Sequence, residues 1–168
     1  PEVTALAHPT RVLTSKAGVA ALAGHFRLDT PVEGVATGAT LDLGGARFTF
    51  SDTRMLHWPE SMVSCLAGDD VLFSQDMFGM HLAGHERFAD EVPADVIAHE
   101  SAKYFANILL PFADAVTRVV GRLPDIAPGV RVVATDHGPV WRRDLEARVR
   151  QYATWAARPP RPELVVVY

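Results

Sequence analysis

Apolar and polar residues alternate with a period of two in the first half of the chain and recur at helical spacing in the second. Residues 39–43 and 46–50 alternate around Gly44-Gly45, a pair that tolerates positive φ, and so predict a hairpin. Residues 62–66 and 71–74 repeat the pattern around Gly68-Asp69-Asp70. Ahead of them, residues 11–14 read as a strand, with Ser15 capping a helix over 16–26 through Val19, Leu22 and Phe26. Pro31 and two glycines make 29–38 a loop. After Gly79 the spacing changes. Pro93 opens a helix over 94–110 with Val96, Ile97, Tyr104, Phe105 and Ile108 as its stripe. Pro111 breaks or kinks it, and Val116, Val119 and Val120 carry a further helix over 113–122. A loop over 124–129 leads to a strand over 130–134. Asp144 caps a last helix reaching about Arg158, with Leu145, Val149, Tyr152 and Trp155 inward. Hairpins followed by helices predict an α+β layered domain.

Residues 158–162, Arg-Pro-Pro-Arg-Pro, form a stiff extended linker, and 163–168 begin a continuous apolar strand suited to a parallel sheet. The chain therefore divides into a domain over 1–158 and a linker with a first strand over 159–168. It opens on Pro rather than Met, which marks it as a piece of something longer.

At 168 residues the domain can bury a sizeable core, and 48% hydrophobic with 21% charged residues mark a globular protein. A net charge of −4 argues against nucleic acid as a partner. The densest basic patch, Arg142, Arg143, Arg148 and Arg150, reads as the wet side of a helix. A single Cys65 excludes an internal disulfide, suits a reducing cytoplasm and reads as a small buried hydrophobe. No window matches a membrane span or a signal peptide.

Candidate chemistry sits at three strand ends. His57, Asp76 and His137 each follow a short apolar run (47–50, 71–73 and 130–133) and precede a Pro or Gly. Imidazole nitrogen and carboxylate oxygen suit a metal of borderline softness, and Asp76 has two oxygens, enough to bridge a pair of ions with one histidine on each. His81 can line the same pocket as a proton donor or hydrogen-bond partner, with a surface histidine as the plain alternative. His85 and His99 read as solvent-facing, and Glu60, Glu86, Glu91 and Glu100 as scattered acids without partners. Trp58 and Phe78 are read as pocket walls that exclude water, or as ordinary core aromatics.

The words Met55-Leu56-His57-Trp58-Pro59-Glu60-Ser61-Met62, residues 72–81 and Asp136-His137-Gly138-Pro139-Val140-Trp141-Arg142 resemble the flavodiiron proteins in order and spacing. That family joins a metallo-β-lactamase-like domain to a flavodoxin domain. Asp136 departs from a small hydroxyl residue and Met80 from a common Gln. The family's first ligand cluster, a His-x-Glu-x-Asp word and a further His, does not occur here and would lie upstream.

The resemblance implies an αββα metallo-β-lactamase-like sandwich, of which this chain is the C-terminal portion, ending at the first strand of a flavodoxin-like domain. It implies part of an oxidoreductase reducing dioxygen to water or nitric oxide to nitrous oxide at a two-iron site held in part by His57, Asp76 and His137. Electrons would come from FMN in the flavodoxin-like domain of the opposing subunit of a head-to-tail homodimer. A rubredoxin or flavin reductase would supply that FMN. Two other readings stand beside it: a zinc-dependent hydrolase of the same fold, and an inactive truncated scaffold domain.

Overall fold

The structure is a computed structural model and describes residues 2–157; the expected linker and final strand fall outside the described residues. Five strands, β3 (Thr40–Asp42), β4 (Arg47–Asp52), β5 (Met62–Ala67), β6 (Val71–Gln75) and β7 (Val132–Thr135), lie side by side in that order. The two predicted hairpins are present. The first turn is held by the Gly44 N–H donating to Asp42 Oδ1 at 2.8 Å, with Gly44 at φ 79. β6 and β7 pair in parallel, which needs a long crossover, and the chain makes it through helices. These are α3 (Ala94–Tyr104), a π stretch (Phe105–Leu109), a 3-10 turn (Leu110–Phe112) and α4 (Ala113–Ile126).

Strand direction then places the site. β4 and β6 are each antiparallel to β5, and β7 is parallel to β6, so β4, β6 and β7 all end at one edge of the sheet. The segments carrying His57, Asp76 and His137 leave from those three ends. Open sheets hold their sites at such edges because the following loops are free to project side chains.

One face of the sheet, Val63, Cys65 and Leu72, is buried against Ile97, Tyr104, Phe105, Leu109, Val116, Val119 and Leu123 of the helical layer. Burial also pushes the Cys65 thiol up from its usual range, with Asp70 adding to it, so it behaves as the expected small hydrophobe. The opposite face carries Phe48, Phe50, Leu66 and Phe73, outside the main core. Phe48 lies 6.4 Å from Phe50 and 6.1 Å from Phe73, which is 41% exposed.

A second, two-stranded parallel sheet holds β1 (Val12–Ser15) and β2 (Val32–Val35), with α1 (Glu2–Ala7) before it and α2 (Lys16–His25) between its strands. Ser15 caps α2 as expected, accepting from the Gly18 N–H at 3.0 Å, and donates to the Glu60 carbonyl at 2.8 Å. It thereby ties this unit to the loop that carries His57.

Several expectations are corrected. Residues 29–38 contain β2: a Cβ on Gly34 would come within 3.1 Å of Lys16 Cα, so this glycine serves close helix packing, not a turn. α4 runs through Pro124 to Ile126, because Leu123 and Ile126 continue its buried stripe. Burying each is worth about 1.5–3 kcal/mol against a proline penalty of about 3 kcal/mol. Ahead of Pro111 the helix loosens to a π turn, with the Leu110 N–H reaching back to the Phe105 carbonyl. α5 (Leu145–Ala156) follows Asp144, which sits at the cap position in the left-handed region but makes no side-chain cap bond.

The basic patch is not one helix face. Arg142 pairs with Asp90 at 2.9 Å and Glu91 at 3.2 Å, and Arg143 with Asp90 at 3.2 Å. The Arg142 guanidinium holds the Asp90 carboxyl below its usual range. Arg148 stacks on Trp141. Glu91 and Glu100 are thus not partnerless acids, since Glu100 pairs with Lys103.

Candidate metal centre

Three loops meet at the sheet edge. His57 sits in the 53–61 segment after β4, anchored by Leu56, which is 1% exposed. Asp76 follows β6 directly, in a tight turn where the Ser74 hydroxyl donates to the Met77 carbonyl at 2.7 Å. His137 follows β7, where the Thr135 hydroxyl donates to the His137 carbonyl at 2.8 Å and the Met80 N–H donates to it at 3.1 Å. Gln75 and Phe78, either side of Asp76, both have positive φ (51 and 69), an uncommon and strained state for non-glycine residues.

The three predicted ligands converge. His57 Nε2 lies 3.4 Å from Asp76 Oδ2, and His137 Nε2 lies 3.5 Å from Asp76 Oδ1. One imidazole therefore faces each oxygen of a single carboxylate that is 8% exposed. Two donors each about 2.1 Å from one ion, at a tetrahedral angle, stand ~3.4 Å apart. Both pairs have that separation, so each His–Asp pair has the spacing of two donors to one ion. Among the described residues no group of three or more His, Cys, Asp and Glu side chains is placed to hold a metal ion. The reason is geometric: the donors form two pairs on opposite oxygens, and each pair alone is half of a coordination shell.

Around this core His81 is exposed and stands edge-on to His137, 5.4 Å between centroids, and to Tyr104 at 4.8 Å. His85 and His99 are exposed, as expected. Phe78 is buried against Tyr152 at 4.6 Å, and Phe112 rather than Trp58 packs beside His57 on the inner side, at 5.8 Å. Trp58 touches the His57 ring at 5.3 Å but is 57% exposed, so it is no sealed wall.

The sequence reading missed Tyr104. Its hydroxyl donates to Asp76 Oδ1 at 3.1 Å within the core. Burial, reinforced by the Asp76 charge, pushes the phenol well above its usual range, which keeps it a neutral donor. A tyrosine on an otherwise apolar core stripe was the available signal, since a buried phenol needs a partner. Tyr104→Phe should cost about 1.5–3 kcal/mol in urea unfolding, as a bond to a charged group is lost. It should also weaken metal binding roughly 10–100-fold; equal affinities in the two proteins would remove Tyr104 from the site.

No family model matches the chain. Among curated proteins, all of the chain matches rubredoxin-oxygen oxidoreductase of Megalodesulfovibrio gigas, 35% identical over 171 residues and covering 42% of that protein. It matches nitric oxide reductase of Moorella thermoacetica at 34% over 169 residues, again 42% of its length. Among solved structures, rubredoxin oxygen:oxidoreductase of Desulfovibrio gigas superposes at TM-score 0.84 with 37% identity, over 92% of this chain and 39% of that one. The flavodiiron protein of Giardia intestinalis superposes at TM-score 0.80 with 27% identity, over 86% and 35%. The chain thus spans about two fifths of these relatives. The α+β architecture, the three gathered strand ends and these likenesses together show the chain to be a homologue of the flavodiiron proteins, corresponding to part of their metallo-β-lactamase-like domain.

Proposed function

We propose that this chain is the C-terminal portion of the αββα metallo-β-lactamase-like domain of a flavodiiron oxidoreductase, one that reduces dioxygen to water or nitric oxide to nitrous oxide. The observation that carries the reading is the Asp76 carboxylate, with His57 on one oxygen and His137 on the other. These three would hold part of a two-iron centre, and an upstream His-x-Glu-x-Asp cluster would supply the remaining ligands. Iron suits the task because it can change oxidation state, which zinc cannot. The chain's own residues would hold the centre: Asp76 would offer one oxygen to each ion, Tyr104 donates to its Oδ1, and Ser74 holds the turn that carries it. His81, exposed beside His137 and Tyr104, carries protons between solvent and the site.

The apolar outer face of the sheet supports the domain reading. Phe48, Phe50, Leu66 and Phe73 lie on the side where the other sheet of such a sandwich would pack. On this reading the described residues belong to one domain, and an FMN-bearing flavodoxin-like domain is the other part of the oxidoreductase. Electrons would reach the centre from the FMN of the opposing subunit of a head-to-tail homodimer. The relatives' names supply the donor class, a rubredoxin; a flavin reductase is the other donor that fits. A reducing cytoplasm fits the buried Cys65 thiol.

The test uses the full-length protein carrying the upstream cluster. Two irons per chain, and reductant-dependent consumption of oxygen or nitric oxide, are expected. Zinc in their place, with ester or amide hydrolysis and no gas consumption, would overturn the assignment.

A further inference from the structure

Gln75, at the end of β6, is hydrogen-bonded both to the start of β5 and to the segment after β7. Its backbone turns into the left-handed region at φ 51, and the β6–β7 register shifts between Phe73 and Gln75. The turn directs its carbonyl to the segment before His137, where it accepts from the Asp136 N–H at 3.1 Å. The last paired row between β5 and β6 is Ser64 with Phe73, so the ladder stops short of Met62. There the Gln75 side chain substitutes for the ladder: its Oε1 accepts from the Met62 N–H at 2.9 Å. Met62 is the first residue of β5, directly after the loop that carries His57, and Gln75 is bonded covalently to Asp76. One residue therefore fixes His57 and His137 on either side of the carboxylate between them.

We propose that Gln75 is a positioning residue that sets the separation of His57 and His137 about Asp76, and so the metal affinity of the site; this rests on reading those three residues as ligands. A backbone carbonyl could not serve both directions. An ordinary β carbonyl at this position would complete the β5 ladder but leave the Asp136 N–H unheld. Left-handed backbone answers that need, and a side-chain amide long enough to reach back to Met62 answers the other. The strain is one that glycine would avoid, yet glycine lacks the amide.

That contrast supplies the test, made in the full-length protein with Co²⁺ as probe, read by its visible absorption, alongside urea midpoints and amide exchange. Gln75→Gly should hold or raise the midpoint, since strain is relieved, yet weaken Co²⁺ binding about 10–100-fold and alter its spectrum. Gln75→Met, of similar shape without an acceptor, should weaken binding likewise. In both, the Met62 amide should exchange faster. Gln75→Glu keeps an oxygen for Met62 and should keep most of the affinity. Unchanged Co²⁺ affinity and spectrum in the Gly and Met variants, while Asp76→Ala abolishes binding, would overturn the proposal. So would affinity and midpoint falling together in all three variants, Glu included, which marks a merely structural role. Normal Co²⁺ binding by Asp76→Ala would instead remove the ligand reading and this proposal with it.

Discussion

Asp76→Ala in the full-length protein is expected to lose both irons and all gas-reducing turnover. Either histidine faces only one oxygen of the carboxylate, whereas Asp76 faces both histidines. His57→Ala or His137→Ala should therefore lower bound iron and abolish turnover while leaving one ion better held than the other. The loss in Asp76→Ala should exceed the roughly 10–100-fold that a missing outer hydrogen bond costs. It should also strand the Tyr104 hydroxyl, buried and without its acceptor, at about 1–3 kcal/mol of folding stability. Asp76→Ala combined with Tyr104→Phe separates the two effects: stability should recover and metal should not. Iron per chain by elemental analysis, with oxygen and nitric oxide consumption, gives the result. Unchanged iron in all three single variants would contradict the ligand assignment.

The convergence of His57, Asp76 and His137 was legible because their setting is local. An apolar run followed by His or Asp and then Pro or Gly marks a strand end, and strand ends sit where loops are held by a rigid sheet. The sheet order made convergence possible: the parallel β6–β7 pairing brings His137 beside Asp76 after a crossover of two long helices. Side chains acting through others were less legible. Tyr104 read as one more stripe residue, since helical spacing shows that a position is buried but not what its hydroxyl meets. Gln75 carried no signal of its own in the sequence. Its role depends on a left-handed φ and a ladder that ends early, and neither leaves a trace in the alternation. Proline and glycine misled twice for one reason. Gly34 and Pro124 were read by their local habit, but tertiary packing decided both, through α2 lying on β2 and through the buried Leu123 and Ile126.

Leu56→Ala should be among the most damaging substitutions away from the ligands. Among the apolar residues of the loop that carries His57, Leu56 is the buried one: Met55 is 38% and Trp58 57% exposed, while Leu56 is 1% exposed and sits within the main core. Removing it leaves a cavity under the loop, worth about 2–5 kcal/mol. That is a large part of the roughly 5–15 kcal/mol that holds a domain together. Trp58→Ala is the contrasting control, because more than half of that ring already meets water and its removal opens no cavity. In urea unfolding of the full-length protein, Leu56→Ala should lower the midpoint sharply and Trp58→Ala only slightly. Iron content should follow the same order, since a loop without its plug no longer holds His57 against Asp76. A larger loss from Trp58→Ala than from Leu56→Ala would show that the exposed ring, not the buried plug, anchors the loop.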